Sequence, residues 1–150
     1  MNSYEIFKAA HSGLRYVVLL LIILALIQSI AGWLGNKSYT NGNRKLNLFA
    51  MISAHVQLLL GLVLLFLSPF VKFDDMATAM KDETLRYWTV EHAAMMIFAL
   101  ILITVGHSRS KKAQEGFSKH RTIAIFYGLG AIIVIAAILQ SGRGLLGMTV

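Results

Sequence analysis

The chain contains no cysteine. That excludes a disulfide framework and any thiolate-ligated metal or redox centre. Proline occurs once, at Pro69, so long helices meet almost no breaker. Charge is scarce too: 14% of residues are Asp, Glu, Lys or Arg, against about 25% in ordinary soluble domains. With 57% hydrophobic residues and a mean hydropathy of +0.66, the composition points to an integral membrane protein.

Four long apolar runs carry most of that hydropathy: Tyr16–Leu34, Leu46–Phe70, Tyr87–Gly106 and Thr122–Gln140. Each is close to the ~20 residues that an α-helix needs to cross ~30 Å of hydrocarbon. The expected fold is all-α, an integral membrane antiparallel four-helix bundle, with spans of about 12–34, 46–70, 87–107 and 119–141 in one domain. Little chain remains for a soluble domain, and no internal repeat is visible. Met1–Ala10 reads as a short amphipathic lead-in rather than a cleavable signal, because Glu5 replaces the usual basic start and no small-residue cleavage site follows. Asn41-Gly42-Asn43 reads as a turn, Pro69 as the stop of the second span, and Asp75–Lys81 as a short interfacial helix. Trp33, Tyr87 and Trp88 are placed as interfacial anchors.

The formal net charge of +7 is not spread evenly. Lys37, Arg44 and Lys45 follow the first run, and Arg109, Lys111, Lys112, Lys119 and Arg121 separate the third from the fourth. The connection Val71–Arg86 instead mixes Lys72, Lys81 and Arg86 with Asp74, Asp75, Asp82 and Glu83. Lys/Arg excess in short loops marks the cytoplasmic side, which puts both termini and the acidic connection on the outer side. Anionic lipid headgroups, not nucleic acid, are the expected partners of the basic loops.

Ionisable groups within spans are functional suspects, since hydrocarbon offers them no water. His55 lies well inside the second run and His92 near the outer end of the third. His11 precedes Arg15 by four residues, so both occupy one helix face. Glu91 is the expected counter-charge for Arg15, and Gln140 and Arg143 reach the same level from the fourth helix. An outer polar cluster of His11, Arg15, Glu91, His92 and Arg143 follows. Met95, Met96 and Ala99 recur at helical spacing after His92, leaving adaptable space for a flat, bulky group. The bland reading of each histidine is an interhelical hydrogen bond. The sharper one is haem b, held by an imidazole from each of two facing helices, with Arg15 and Arg143 placed for its propionates. His92 with His55 is the preferred axial pair and His11 the alternative to His55. His107 and His120 read as solvated residues at the inner interface.

Five segments also carry a resemblance: His11-Ser12-Gly13-Leu14-Arg15-Tyr16, Gly32-Trp33-Leu34-Gly35-Asn36-Lys37, Asn43-Arg44-Lys45-Leu46-Asn47-Leu48-Phe49, Val90-Glu91-His92 and Gly106-His107-Ser108-Arg109-Ser110-Lys111-Lys112. Across nearly its whole length the chain resembles a family of short four-helix bacterial membrane proteins often labelled cytochrome B-like. The resemblance implies a multi-pass protein of the bacterial inner membrane with a b-type haem. Three functions are then expected in order: electron transfer between a quinone and a partner, a haem-free accessory subunit of a larger membrane complex, and a small oligomeric transporter.

Overall fold

The computed structural model describes residues 1–142. Arg143, one of the residues expected in the outer cluster, lies outside the described residues. Among them every regular element is helical. Four helical stretches are long and apolar enough to cross a membrane.

Helix α1 (Ser3–Leu34) begins with a reciprocal cap in which Glu5 N–H donates to the Asn2 side chain and Asn2 N–H to the Glu5 carboxylate, both at 2.9 Å. This cap carries helix through Met1–Ala10, so the expected lead-in is the first turns of α1. The helix stops at Gly35-Asn36, where Asn36 takes the left-handed conformation at φ 45° and Lys37 N–H closes back on the Gly32 carbonyl. Helix α2 (Asn41–Leu67) starts five residues earlier than its apolar run. Asn41-Gly42-Asn43 is its first turn rather than a break, because the Thr40 hydroxyl accepts from Asn43 N–H and the Asn43 side chain accepts from Thr40 N–H. Helix α2 ends at Ser68, directly before Pro69.

The connection that follows holds a 3₁₀ turn (Phe73–Asp75), α3 (Met76–Lys81) and α4 (Glu83–Arg86). The Asp75 carboxylate caps α3 by accepting from Thr78, and that side-chain hydrogen bond holds its carboxyl below the usual carboxylate range. A π-helical turn (Tyr87–Glu91) then leads into α5 (His92–Lys112). Helix α6 (Gly116–Gln140) completes the bundle.

Cross-helix hydrogen bonds show that the helices run antiparallel. Gln28 joins Asn43 and Asn47, while Gln57 Nε2 donates to the His11 carbonyl at 2.8 Å, so α1 and α2 run in opposite senses. Ser110 meets Lys119 and Glu91 meets Gln140, which sets α5 against α6. Helix α1 packs closely on α2 and α6, and α5 on α6, whereas α2 and α5 meet much more sparsely. The bundle thus has three tight seams and one slack one. Its apolar centre is Val18, Ile22, Ala25, Ala50, Ile103, Ile123, Tyr127 and Ala131.

At the end formed by connections 35–40 and 113–115, here termed the basic end, a polar network replaces carbon. Gln28 Nε2 donates to the Asn43 carbonyl and Asn47 Oδ1, Asn47 Nδ2 to the Tyr39 hydroxyl, and the Tyr127 hydroxyl to the Asn47 carbonyl. Four elements are tied by groups whose every alternative in hydrocarbon is an unsatisfied dipole. His120, fully buried, donates from Nε2 to the Ser38 carbonyl at 3.1 Å and packs edge-on against Tyr39. Gly32 makes the room: a Cβ there would fall 2.5 Å from the His120 ring. The expectation of a solvated His120 is corrected by this burial: its Nε2 bonds a loop carbonyl, and its Nδ1 is buried with no hydrogen-bond partner.

Candidate functional site

The π-turn before α5 determines the local geometry. In an α-helix, residues five apart diverge by roughly 140° around the axis. In a π-turn they stack, and His92 N–H accordingly bonds the Tyr87 carbonyl. Two side-chain pairs follow from that one register change. Arg86 Nε reaches Glu91 Oε1 at 2.7 Å, and the Tyr87 hydroxyl lies 3.3 Å from His92 Nδ1. The Tyr87 hydroxyl donates its own proton to the Ala137 carbonyl on α6, so toward His92 it acts as acceptor. Nδ1 then carries the imidazole proton, and Nε2 the lone pair.

His92 faces His11 on α1, with ring centroids 6.5 Å apart and planes inclined by 64°. Tyr87 and Trp88 pack their rings on His92 at 5.7 and 5.2 Å. Two adjoining cavities of about 110 and 120 Å³ share His11, Arg15, Gly61, Leu65, His92 and Ile138 in their walls. The outer one reaches Lys8, Ser68 and Trp88; the inner one is lined by Gln57, Ala93, Met96 and Ala99. All four long helices contribute, and both cavities are partly open to the outside. Gly61 keeps α2 from filling the space, since a Cβ there would touch His11 Nε2 at 3.4 Å.

Arg15 lies at the cavity wall, with Nη2 donating to the neighbouring Tyr16 hydroxyl at 3.2 Å. Glu91 is not its counter-charge. One Glu91 oxygen is taken by Arg86, and the other accepts from Gln140 Nε2 at 2.7 Å. Among the described residues the positive side chains in the cavity wall are Arg15 and Lys8, whose ammonium lies over the Tyr4 ring.

His55 stands elsewhere. Its Nδ1 is 2.8 Å from the Met51 carbonyl one turn back, and its Nε2 is 3.4 Å from the Thr104 hydroxyl on α5. Thr104 is twelve residues beyond His92, about 18 Å along the helix. The antiparallel register of α2 and α5 therefore keeps His55 away from His92 and supplies it with ordinary interhelical partners. His107 lies at the basic end beside Arg44 and Lys111.

Three contributors went unnoticed at the level of sequence. Lys8 could have been read from the stripe Lys8, His11, Arg15, spaced by three and four. Gly61 stands alone among bulky apolar residues in the interior of α2. Tyr87 was legible only as an interfacial anchor, because its proximity to His92 depends on the π-turn. Among the described residues no three His, Asp or Glu side chains converge, so the site is a two-imidazole arrangement and not a polydentate metal cage. No family model, curated protein or solved structure matches the chain.

Proposed function

We propose that the chain is a multi-pass protein of the bacterial cytoplasmic membrane, with its basic loops inside, that binds haem b between His11 and His92. The observation that carries this is the His11–His92 pair beside open cavity. With centroids 6.5 Å apart, the two rings line the same pair of cavities. The residues present fit the group in other respects as well. Tyr87 holds one proposed ligand in the required tautomer, and Lys8 and Arg15 offer cations for two propionates. Met96, Ala93 and Ala99 supply an adaptable apolar wall. The enclosed volume lies below the ~300 Å³ typical of cavities that swallow a drug-sized ligand. A flat ring would also use the slack seam between α2 and α5.

A haem in this position supplies one-electron chemistry, and the chain's own groups would orient it, neutralise its acids and exclude water. Electron transfer between a membrane quinone and a partner protein is the corresponding role. His11 takes the place of His55 in the preferred pair.

The test is a dithionite-reduced minus oxidised spectrum of detergent-purified protein expressed with ample haem. Sharp reduced α and Soret bands are expected in the wild type and in His55→Ala, and their loss in His11→Ala and His92→Ala. A featureless spectrum from folded, haem-supplied protein refutes the reading. The accessory-subunit reading draws on one observation: only 6% of the most apolar stretch of α2 is buried, far less than in α1 or α6. Co-purification of a colourless protein with a defined membrane partner would favour it.

A further inference from the structure

At the opposite end from the two imidazoles, the first turn of α2 and the last turns of α5 enclose a cavity of about 330 Å³. Arg44, His107, Lys111 and Lys119 stand in its wall, and no carboxylate does. Among the described residues the one ion pair, Arg86–Glu91, is at the other end of the bundle. Three permanent cations around one space repel each other; backbone carbonyls at the end of α5 and the Tyr39 ring offset part of that for Lys119, and an anion would offset the rest.

Their hydrogen bonds aim them without satisfying them. Arg44 Nε donates to Asn41 Oδ1 at 3.2 Å, which fixes the guanidinium and leaves its two terminal nitrogens. Lys119 Nζ donates to the Ser110 and Lys111 carbonyls at 3.0 and 3.1 Å, capping α5 and retaining a third proton. His107 Nδ1 is buried and has no hydrogen-bond partner. The same wall includes Thr40 and Asn41 at the start of α2, where the helix dipole adds partial positive charge.

We infer that this cavity is a binding site for a phosphate group. An arginine fork pairs bidentately with phosphate as it does with carboxylate, and the lysine ammonium groups beside it can reach the further oxygens that a tetrahedral phosphate has and a carboxylate lacks. The cavity lies at the end of helices long enough to cross a membrane, which is the depth of lipid headgroups, and basic pockets between helices at that depth capture phosphodiesters. The phosphate is carried by an anionic phospholipid or is free in the adjoining water; the chemistry of recognition is common to both.

The full-length chain, purified in mild detergent, would be examined by native mass spectrometry after exposure to phosphatidylglycerol. Inorganic phosphate would be titrated in parallel by isothermal calorimetry. The comparison set is the wild type, the double variant Arg44→Gln/Lys111→Gln, the charge-keeping Arg44→Lys/Lys111→Arg, and Lys72→Gln/Lys81→Gln as a control away from the cavity. Circular dichroism would check that each variant is folded. Each lost cation costs about fivefold in affinity, so the first double variant should bind roughly 30-fold more weakly. The charge-keeping and control variants should retain a stoichiometric ligand. Retained phosphatidylglycerol identifies the lipid-borne source; saturable inorganic phosphate without lipid identifies the free one. Equal binding by wild type and Arg44→Gln/Lys111→Gln, or no saturable binding of either probe, overturns the inference. Absence of a haem spectrum leaves it standing, since none of its residues touches the two-imidazole cavity.

Discussion

Replacing Tyr87 by phenylalanine removes one oxygen that serves two helices. The hydroxyl donates to the Ala137 carbonyl and accepts from His92 Nδ1. Ala137 is not left bare by the change, because Ser141 N–H already bonds the same carbonyl at 3.1 Å. The loss on that side is one neutral hydrogen bond, about 1 kcal/mol. On the other side, the 3.3 Å contact that sets the tautomer of His92 disappears while the ring stays packed against Trp88. Loss of such an outer partner weakens a metal-held histidine about 10–100-fold. Tyr87→Phe should therefore reduce bundle stability only slightly and weaken haem affinity by at least tenfold. Haemin titration of the apo-protein, followed at the Soret band, measures the second quantity; helicity against rising SDS measures the first. Unchanged haemin affinity in a variant that loses about 1 kcal/mol of stability would refute the positioning role and leave Tyr87 a purely structural clasp.

Gly61→Leu should block the cavity beside His11, abolishing haem absorbance while the far-ultraviolet circular dichroism stays helical. Gly32→Ala should cost about 1–3 kcal/mol by overpacking, because its Cβ would meet the fully buried His120 ring at 2.5 Å; a lowered SDS midpoint would register it. Asn47→Leu should cost a similar amount, since it orphans partners on Gln28 and Tyr39. Because the chain has no cysteine, single cysteines at Ser38 and Asp82 can report orientation. Impermeant maleimide added to intact spheroplasts should label position 82 and spare position 38.

Helix number and approximate extent were legible from apolar run length alone, because α-helices satisfy their own backbone and hydrocarbon tolerates nothing looser. Helix starts were less so. The Thr40–Asn43 cap turned an Asn-Gly-Asn stretch that looks like a turn into helix, and the Asn2–Glu5 cap extended α1 through its polar beginning. The individual histidines were visible as suspects, but their pairing was not. Pairing depends on helix register, and α5 sets Thr104, twelve residues beyond His92, opposite His55, which separates the two histidines by about 18 Å. Glu91 was given to Arg15 on the grounds of level, yet Arg86 won it through the π-turn, a feature with no period to read.

The slack seam has a kinetic consequence. Helix α2 is fastened to α1 and α6 at the basic end by the Gln28–Asn43–Asn47–Tyr127 network and to α1 further along by the Gln57 bond to the His11 carbonyl, while it meets α5 through the His55–Thr104 contact at 3.4 Å. Swinging its far end away from α5 would break few contacts and leave the three tight seams intact. The bundle would open like a book along α1, and the haem proposed above would enter sideways after the chain has folded. Loading should then be a late, reversible step whose rate depends on the His55–Thr104 contact across that seam, with no requirement that the helices assemble around the ligand.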